Sequence, residues 1–302
     1  MEKSRRENST AYLYAGLAIL LWSTVSTAFK ISLRSLTPSQ LLLGASFVSL
    51  CVFFCVGLLQ KKIALILKSS RQDLLRSAVL GLLNPFLYYS VLLEAYNCLP
   101  AQEAQALNYI WAVMLALLSI PILGQKFSWR DFSGVLISFC GAVVIATRGK
   151  PFSLHFEEPM GVSLALASTL IWALFWLFNV RDKRDQVVKL FWIFAFGFIY
   201  VLIFVLIKGE IKILKPTAWL GAIYVGIFEM GITFLFWLLA LQKADVTARI
   251  ANLIFLTPFL SLIIIHFILR EKITVSTVCG LVLIIGGILW QQTSSLSPKA
   301  TK

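Results

Sequence analysis

Ten stretches of this chain are almost unbroken runs of apolar residues: 11–29, 39–60, 74–93, 101–124, 131–147, 160–180, 190–207, 218–241, 250–269 and 273–291. At 1.5 Å per residue in a helix, runs of this length cross a hydrocarbon core of ~30 Å. They are continuously apolar, without the period-two alternation of a transmembrane β-barrel. Composition agrees, because only 14% of the residues are charged and 59% are hydrophobic, whereas soluble domains carry about 25% charged residues. The loops are short, and no stretch is long enough for a separate soluble domain. The expected fold is an all-α integral membrane protein of ten transmembrane helices. The basic start "MEKSRRENS" resembles a signal peptide, but the run after it is too long and no A-x-A cleavage site follows, so it reads as a retained helix.

The net charge of +13 is evidence about topology, not about nucleic acid. With the N-terminus inside, 18 Lys and Arg residues fall on inside segments and 9 on outside ones. The positive-inside rule then places both termini in the cytoplasm of a multi-pass protein of the cell membrane. The basic loops "QKKIALILKSSRQDLLR" and "RDKRDQVVK" read as topological anchors. Cys51, Cys55, Cys140 and Cys279 fall inside apolar runs, and Cys98 lies in an outside turn. No disulfide framework or metal-spaced pair is present, so no cofactor or metal is expected.

Residues 81–124 lie over residues 226–269 in register, pairing Gly81 with Gly226, Asn84 with Glu229, Tyr88 with Thr233 and Ala95 with Ala240. After a one-residue gap Lys126 pairs with Lys272, Gly134 with Gly280 and Gly141 with Gly287. The halves, 1–150 and 151–302, meet at the polar linker "RGKPFSLHFEEPMG". Each half holds five runs, an odd number, so the second enters the membrane from the opposite face. Inverted repeats of this kind characterise secondary transporters, with a midplane site exposed alternately to the two sides.

The segment "NLIFLTPFLSLIIIHFILREKITVSTVCGLVLIIGGIL" resembles the closing signature of the EamA-type drug/metabolite transporters: a helix with a central proline, a short "E-K/R-x-T" turn and a Gly-rich last helix. The likeness extends to "LLWSTVSTAFK" and "LIWALFWLF", and covers nearly the whole chain. It implies two inverted five-helix repeats around a central cavity lined mainly by helices 1, 3, 4, 6, 8 and 9. "ALNYIWAVML" is similar to the fourth helix of the aromatic amino acid exporter branch, except that Ala112 stands where a proline often follows the tryptophan.

In "YVGIFEMGITFLFWLLAL" the only charge is Glu229. A carboxylate at the centre of a membrane helix costs ~2.5–3.5 kcal/mol on insertion scales. It must be protonated, paired with a cation or hydrated, and Lys30 is the intramembrane lysine best placed to serve it. Ala222, Gly226, Glu229, Thr233 and Trp237 recur at three- and four-residue steps and are expected on one helix face. Candidate cavity residues elsewhere are Asn84 and Tyr88, Trp22, Ser26 and Lys30, Asn108 and Trp111, Trp172, Trp176 and Asn179, and Asn252, with Pro258 as a hinge that frees a carbonyl near Ile254.

Single Ser, Thr or Asn residues in membrane helices are ordinarily interhelical glue, and Trp129, Trp219 and Trp290 near helix ends read as interfacial anchors. The small faces Gly134, Ser138, Gly141 and Gly280, Gly287 permit close helix approach within the subunit or across a homodimer. With His155 and His266 as the only histidines, and no H-E-x-x-H or G-x-S-x-G motif, an enzyme is excluded. The expected function is secondary transport, as an exporter, of small amino-acid-like or aromatic solutes, with the bilayer and a small-molecule substrate as partners. A multidrug or cationic-compound exporter is the alternative, followed by a nucleotide-sugar or sugar-phosphate exchanger, a channel or a structural membrane protein.

Overall fold

The structure, a computed structural model, describes residues 2–124, 128–152, 157–210, 216–244, 250 and 252–295. Lys126 and His155, both singled out above, lie outside the described residues. Among the described residues eight helices are long and apolar enough to cross a membrane: α1 (Ser9–Ser32), α2 (Pro38–Leu59), α3 (Arg71–Cys98), α4 (Ala101–Ile122), α5 (Trp129–Ala146), α6 (Pro159–Arg181), α7 (Gln186–Lys208) and α8 (Pro216–Lys243). Two shorter apolar helices complete the series, α9 (Leu253–Leu269) and α10 (Val275–Gln291).

Polar side chains at the ends of the runs set the boundaries. Thr37 with Gln40, Ser70 with Asp73 and Ser128 with Asp131 form reciprocal capping boxes at the starts of α2, α3 and α5. Each satisfies two backbone N–H groups that would otherwise meet lipid headgroups unpaired. At the other ends, Gly124 and Gly209 close α4 and α7 in the left-handed conformation open to glycine.

The chain forms two compact units, each assembled from both halves of the sequence: Met1–Leu93 with Lys183–Glu271, and Glu94–Asp182 with Lys272–Lys302. In the first unit α2 packs along α7, and α1 along α9 and the C-terminal part of α8. Glycines set how closely these helices meet. A methyl group on Gly81 of α3 would lie 2.6 Å from the Ile193 carbonyl oxygen of α7, and one on Gly226 of α8 would lie 2.6 Å from the Ala45 carbonyl oxygen of α2. The aligned glycines thus play matching parts, α3 on α7 and α8 on α2.

Polar groups clip α2 to α7 at both ends. Lys62 donates to Asp185 at 2.7 Å. At the opposite end Thr37 and Ser39 donate to the Glu210 carboxylate, and the Gln40 amide donates to the Glu210 carbonyl. Burial pushes the Glu210 carboxyl up, but the Ser39 and Thr37 hydroxyls and Lys208 outweigh it and hold the group below the ordinary carboxylate range. A depressed folded-state value stabilises the fold above the unfolded pKa of about 4.3, and the stabilisation is lost as pH falls through the folded value. The melting temperature of Glu210→Gln should therefore trail the wild type at neutral pH, and the gap should close on acidification below about pH 4. A gap independent of pH would assign the clip to hydrogen bonding alone.

In the second unit α5 packs along α10, and α4 against α6. The glycine faces expected to serve helix approach meet each other here: a methyl on Gly141 would lie 2.5 Å from the Gly280 carbonyl oxygen, and one on Gly134 would lie 2.6 Å from that of Gly287. Ser138 donates to the Ile284 carbonyl between them. The two glycine faces thus meet each other within the subunit. Glu103 at the start of α4 accepts from Arg148, which also pairs with Glu157.

Candidate functional site

Both α3 and α8 of the first unit depart from regular helix where the sequence puts their polar midpoints. In α3 the stretch Leu82–Leu87 is a wide π-type turn, with Asn84 in an extended conformation and Pro85, which lacks an N–H, directly after it. Pro85 rests against Gly197 of α7. In α8 the helix stops at Phe228 and restarts at Ile232. A side chain on Gly231 would lie 2.8 Å from the carbonyl oxygens of both Gly226 and Ile227, so this break accepts only glycine. Thr233 donates its hydroxyl to the Phe228 carbonyl and caps the break from within.

Glu229 sits at that break, half-buried, with its N–H and that of Met230 sharing the Val225 carbonyl. Its carboxylate accepts a 2.8 Å hydrogen bond from Tyr89 of α3, a fully buried residue. No Lys or Arg pairs with Glu229 among the described residues, so Lys30, half-buried on α1, is not its ion-pair partner. Tyr89 packs edge to face on Phe29 of α1 and on Tyr88, with ring centroids 6.5 and 4.7 Å apart. The site thus gathers one carboxylate, one phenol and the aromatic faces of α1 and α3.

Sequence spacing pointed to Tyr88, not Tyr89. Asn84 leaves the helical conformation before Pro85, so the face of α3 is not continuous across the kink, and the Asn-Pro pair at 84–85 was the signal for it. The expected single face of α8 is also divided. Ala222 and Gly226 pack on α2 at Gly44, Ala45 and Val48, whereas Trp237 beyond the break meets Trp22 of α1 with centroids 5.7 Å apart. Trp237 is 9% exposed, in an apolar cluster with Ala11, Ala15, Ala18, Ala240 and Ile250.

Asn84 is buried, and among the described residues neither its amide nitrogen nor its oxygen has a hydrogen-bond partner. The same holds for the hydroxyls of Thr27, Ser90, Thr257 and Ser261, all in this unit. Ser26 is buried beside Thr27 on α1. Ser23 donates to the Ile19 carbonyl and reaches the Thr257 carbonyl at 3.4 Å, which sets α1 beside α9 at this level. Pro258 stands in the first turn of the helical segment Thr257–Ile264, where a missing N–H is harmless. The carbonyl expected to be free, that of Ile254, accepts from the Thr257 N–H in a 3₁₀ turn. Asn252 is exposed at the start of α9.

In the second unit Asn108 donates to Ser168 of α6 at 3.0 Å, which is the interhelical glue expected of such residues. Trp111 is half-buried where α4 resumes after an irregular turn at Tyr109–Ile110. Trp172 stacks on Phe175 and meets Trp176 edge to face, both tryptophans half-buried, and Asn179 is buried a turn beyond. Among the described residues no group of three or more His, Cys, Asp or Glu side chains could hold a metal ion.

Apolar helices long enough to cross a membrane, one of them broken at a carboxylate, fit a membrane protein, and the sequence places it in a family. The EamA-like transporter family model matches residues 9–147 and again 159–291, so the chain belongs to that family. An uncharacterized transporter of Archaeoglobus fulgidus is 27% identical over 290 residues, 93% of this chain and 96% of that one. The aromatic amino acid exporter YddG of Ancylobacter novellus is 27% identical over 243 residues, 79% of this chain and 82% of that one. YddG of Escherichia coli is 25% identical over 307 residues, covering 92% and 95%. A solved crystal structure, 22% identical, superposes with a TM-score of 0.66 over 97% of this chain and all of that one, which supports the fold.

Proposed function

We propose that this transporter is a secondary carrier that exports small amino-acid-like or aromatic solutes by alternating access, built as two inverted five-helix repeats, 1–150 and 151–302, with both termini cytoplasmic. The observation that carries the reading is the Glu229–Tyr89 pair at the breaks of α3 and α8. Broken helices are where transporters place substrate and ion sites, because irregular backbone in a membrane is tolerated only where protein or water surrounds it. The five polar side chains of the same unit that have no partner among the described residues support it. Each costs ~1–3 kcal/mol if left dry, so water or a polar solute is their natural complement. The similarity to aromatic amino acid exporters favours substrates that offer an ammonium to the carboxylate and a ring to the aromatic faces. The lone carboxylate also suits a cationic drug, the second reading.

Counterflow in proteoliposomes separates these. Labelled aromatic amino acids inside should exchange for unlabelled ones outside with saturation; uptake of cationic dyes alone would favour the second reading, and non-saturable flux would mean a channel. The inverted topology is checked by cysteine labelling at Phe152, which is fully exposed in the inter-repeat linker and should react from outside intact cells. Protection there, with labelling only after lysis, would remove the model.

The tryptophans separate by environment. Trp172→Leu and Trp176→Leu should weaken substrate affinity by about 2- to 30-fold, the range of one aromatic or cation–π contact, with folding retained. Trp237→Leu, in its apolar cluster, should instead lower stability by more than about 1 kcal/mol. Unchanged affinity in both α6 variants would return those rings to packing.

A further inference from the structure

We propose that the segment between α2 and α3 is a preformed binding site for anionic phospholipid headgroups, an inference independent of the substrate reading. This loop is built, not slack. Its short helix Ile63–Leu67 buries Ile66, which packs at Gly57 of α2. Trp192 of α7 donates its indole N–H to the Ile66 carbonyl at 3.2 Å and to the Ser69 hydroxyl at 3.0 Å. Lys62 is tied to Asp185.

The acids of the region are already engaged. Asp185 holds Lys62 and caps α7, and Asp73 caps α3 and receives Arg184. What remains outward is a row of cations, Lys61, Lys68, Arg71 and Arg76, all exposed and without an ion pair among the described residues. Beside them Leu65 and Leu67 are 54% and 77% exposed, flanking the buried Ile66.

A soluble anion would use the cations and leave the leucines wet. A phospholipid satisfies both, with its phosphate on the Lys and Arg groups and its acyl chains on the leucines, which is how interfacial basic-apolar helices bind membranes. The proposed topology, on which the inference rests in this one respect, puts this loop on the cytoplasmic face, where anionic lipid is met. Topological anchoring alone needs the charges but not the Trp192 and Lys62 restraints that fix the segment against α7.

The test is the melting temperature of the full chain in mixed micelles containing phosphatidylglycerol, compared with phosphatidylcholine at equal total lipid. Phosphatidylglycerol should raise it further, and the increment should shrink in high salt. Removing charges as Lys61→Gln, Lys68→Gln and Arg71→Gln should weaken half-saturation by about fivefold per charge, and Leu65→Ser with Leu67→Ser should also reduce the increment. Because the readout is the difference between lipids within each variant, general loss of stability cancels. Equal melting in the two lipids, or a full increment in the triple glutamine variant, would overturn the site. An equal increment from inorganic phosphate would make it a soluble-anion site and overturn the lipid assignment.

Discussion

Glu229→Gln in proteoliposomes should lose net transport by at least about tenfold, or lose its pH dependence, while the protein stays folded. The glutamine amide has the same shape and its oxygen can still accept the Tyr89 hydroxyl, so the exchange removes ionisation and little else. Two roles for the charge are in competition: holding the ammonium of a substrate, or carrying a proton when the site is empty. If it binds ammonium, Glu229→Gln should raise the apparent KM for amines while neutral analogues are unaffected. If it carries a proton, counterflow should survive in the glutamine variant while net, gradient-driven flux fails. Tyr89→Phe is the complementary change, because it deletes the donor and keeps the charge. Hydrogen bonds to charged groups contribute ~1.5–3 kcal/mol, so this variant should lower stability or shift the pH profile without removing coupling. Full activity with an unchanged pH profile in Glu229→Gln would show that the carboxylate has no role in transport.

The helices were legible in the sequence because lipid obliges each span to satisfy its own backbone, so apolar length alone locates the elements. The expected runs and the observed helices differ at their ends by only a few residues, for instance 39–60 against Pro38–Leu59. Glu229 was legible for the same reason, since a charge in such a run stands out by its cost. Its partner was not. Lys30 was the expected partner, but side-chain direction depends on helical continuity, and the kink at Asn84 and Pro85 precedes the tyrosine, Tyr89, that reaches the carboxylate. The face of α8 failed at Gly231 in the same way, because a period of 3.6 residues holds only while the helix is continuous. The fate of Trp237 was equally hidden. Hydropathy shows that a tryptophan is deep, but its packing against Trp22 and three alanines of α1 depends on how the helices meet.

The glycine faces of α5 and α10 present the opposite case: their smallness was legible and their partner was not, since small faces serve contacts within or between subunits alike. The observed pairing predicts a large effect with its own control. Gly280→Leu should prevent recovery of folded, monodisperse protein, because even its first carbon would lie 2.6 Å from the Gly141 carbonyl oxygen and closer still to Ile145. Gly141→Leu should do the same, with its first carbon 2.5 Å from the Gly280 carbonyl oxygen and 2.9 Å from Leu283. Each meets a backbone carbonyl, which cannot rotate aside as the Ile145 side chain could, so relief requires the helices to separate. Overpacking of a side-chain core already costs ~1–3 kcal/mol, and separating α5 from α10 also breaks the Ser138 hydrogen bond to Ile284. The control is Gly286, next to Gly287 but on the outer face, where an added methyl meets nothing within 4 Å. Gly286→Leu should fold as well as the wild type or slightly better, because glycine is the weaker helix former by about 1 kcal/mol. The yield of monodisperse protein from the three variants, with thermal melting of whatever is recovered, reads the contrast directly. Equal behaviour of Gly280→Leu and Gly286→Leu would mean that the two faces are not in contact in the membrane, and a dimer built on them would return to consideration.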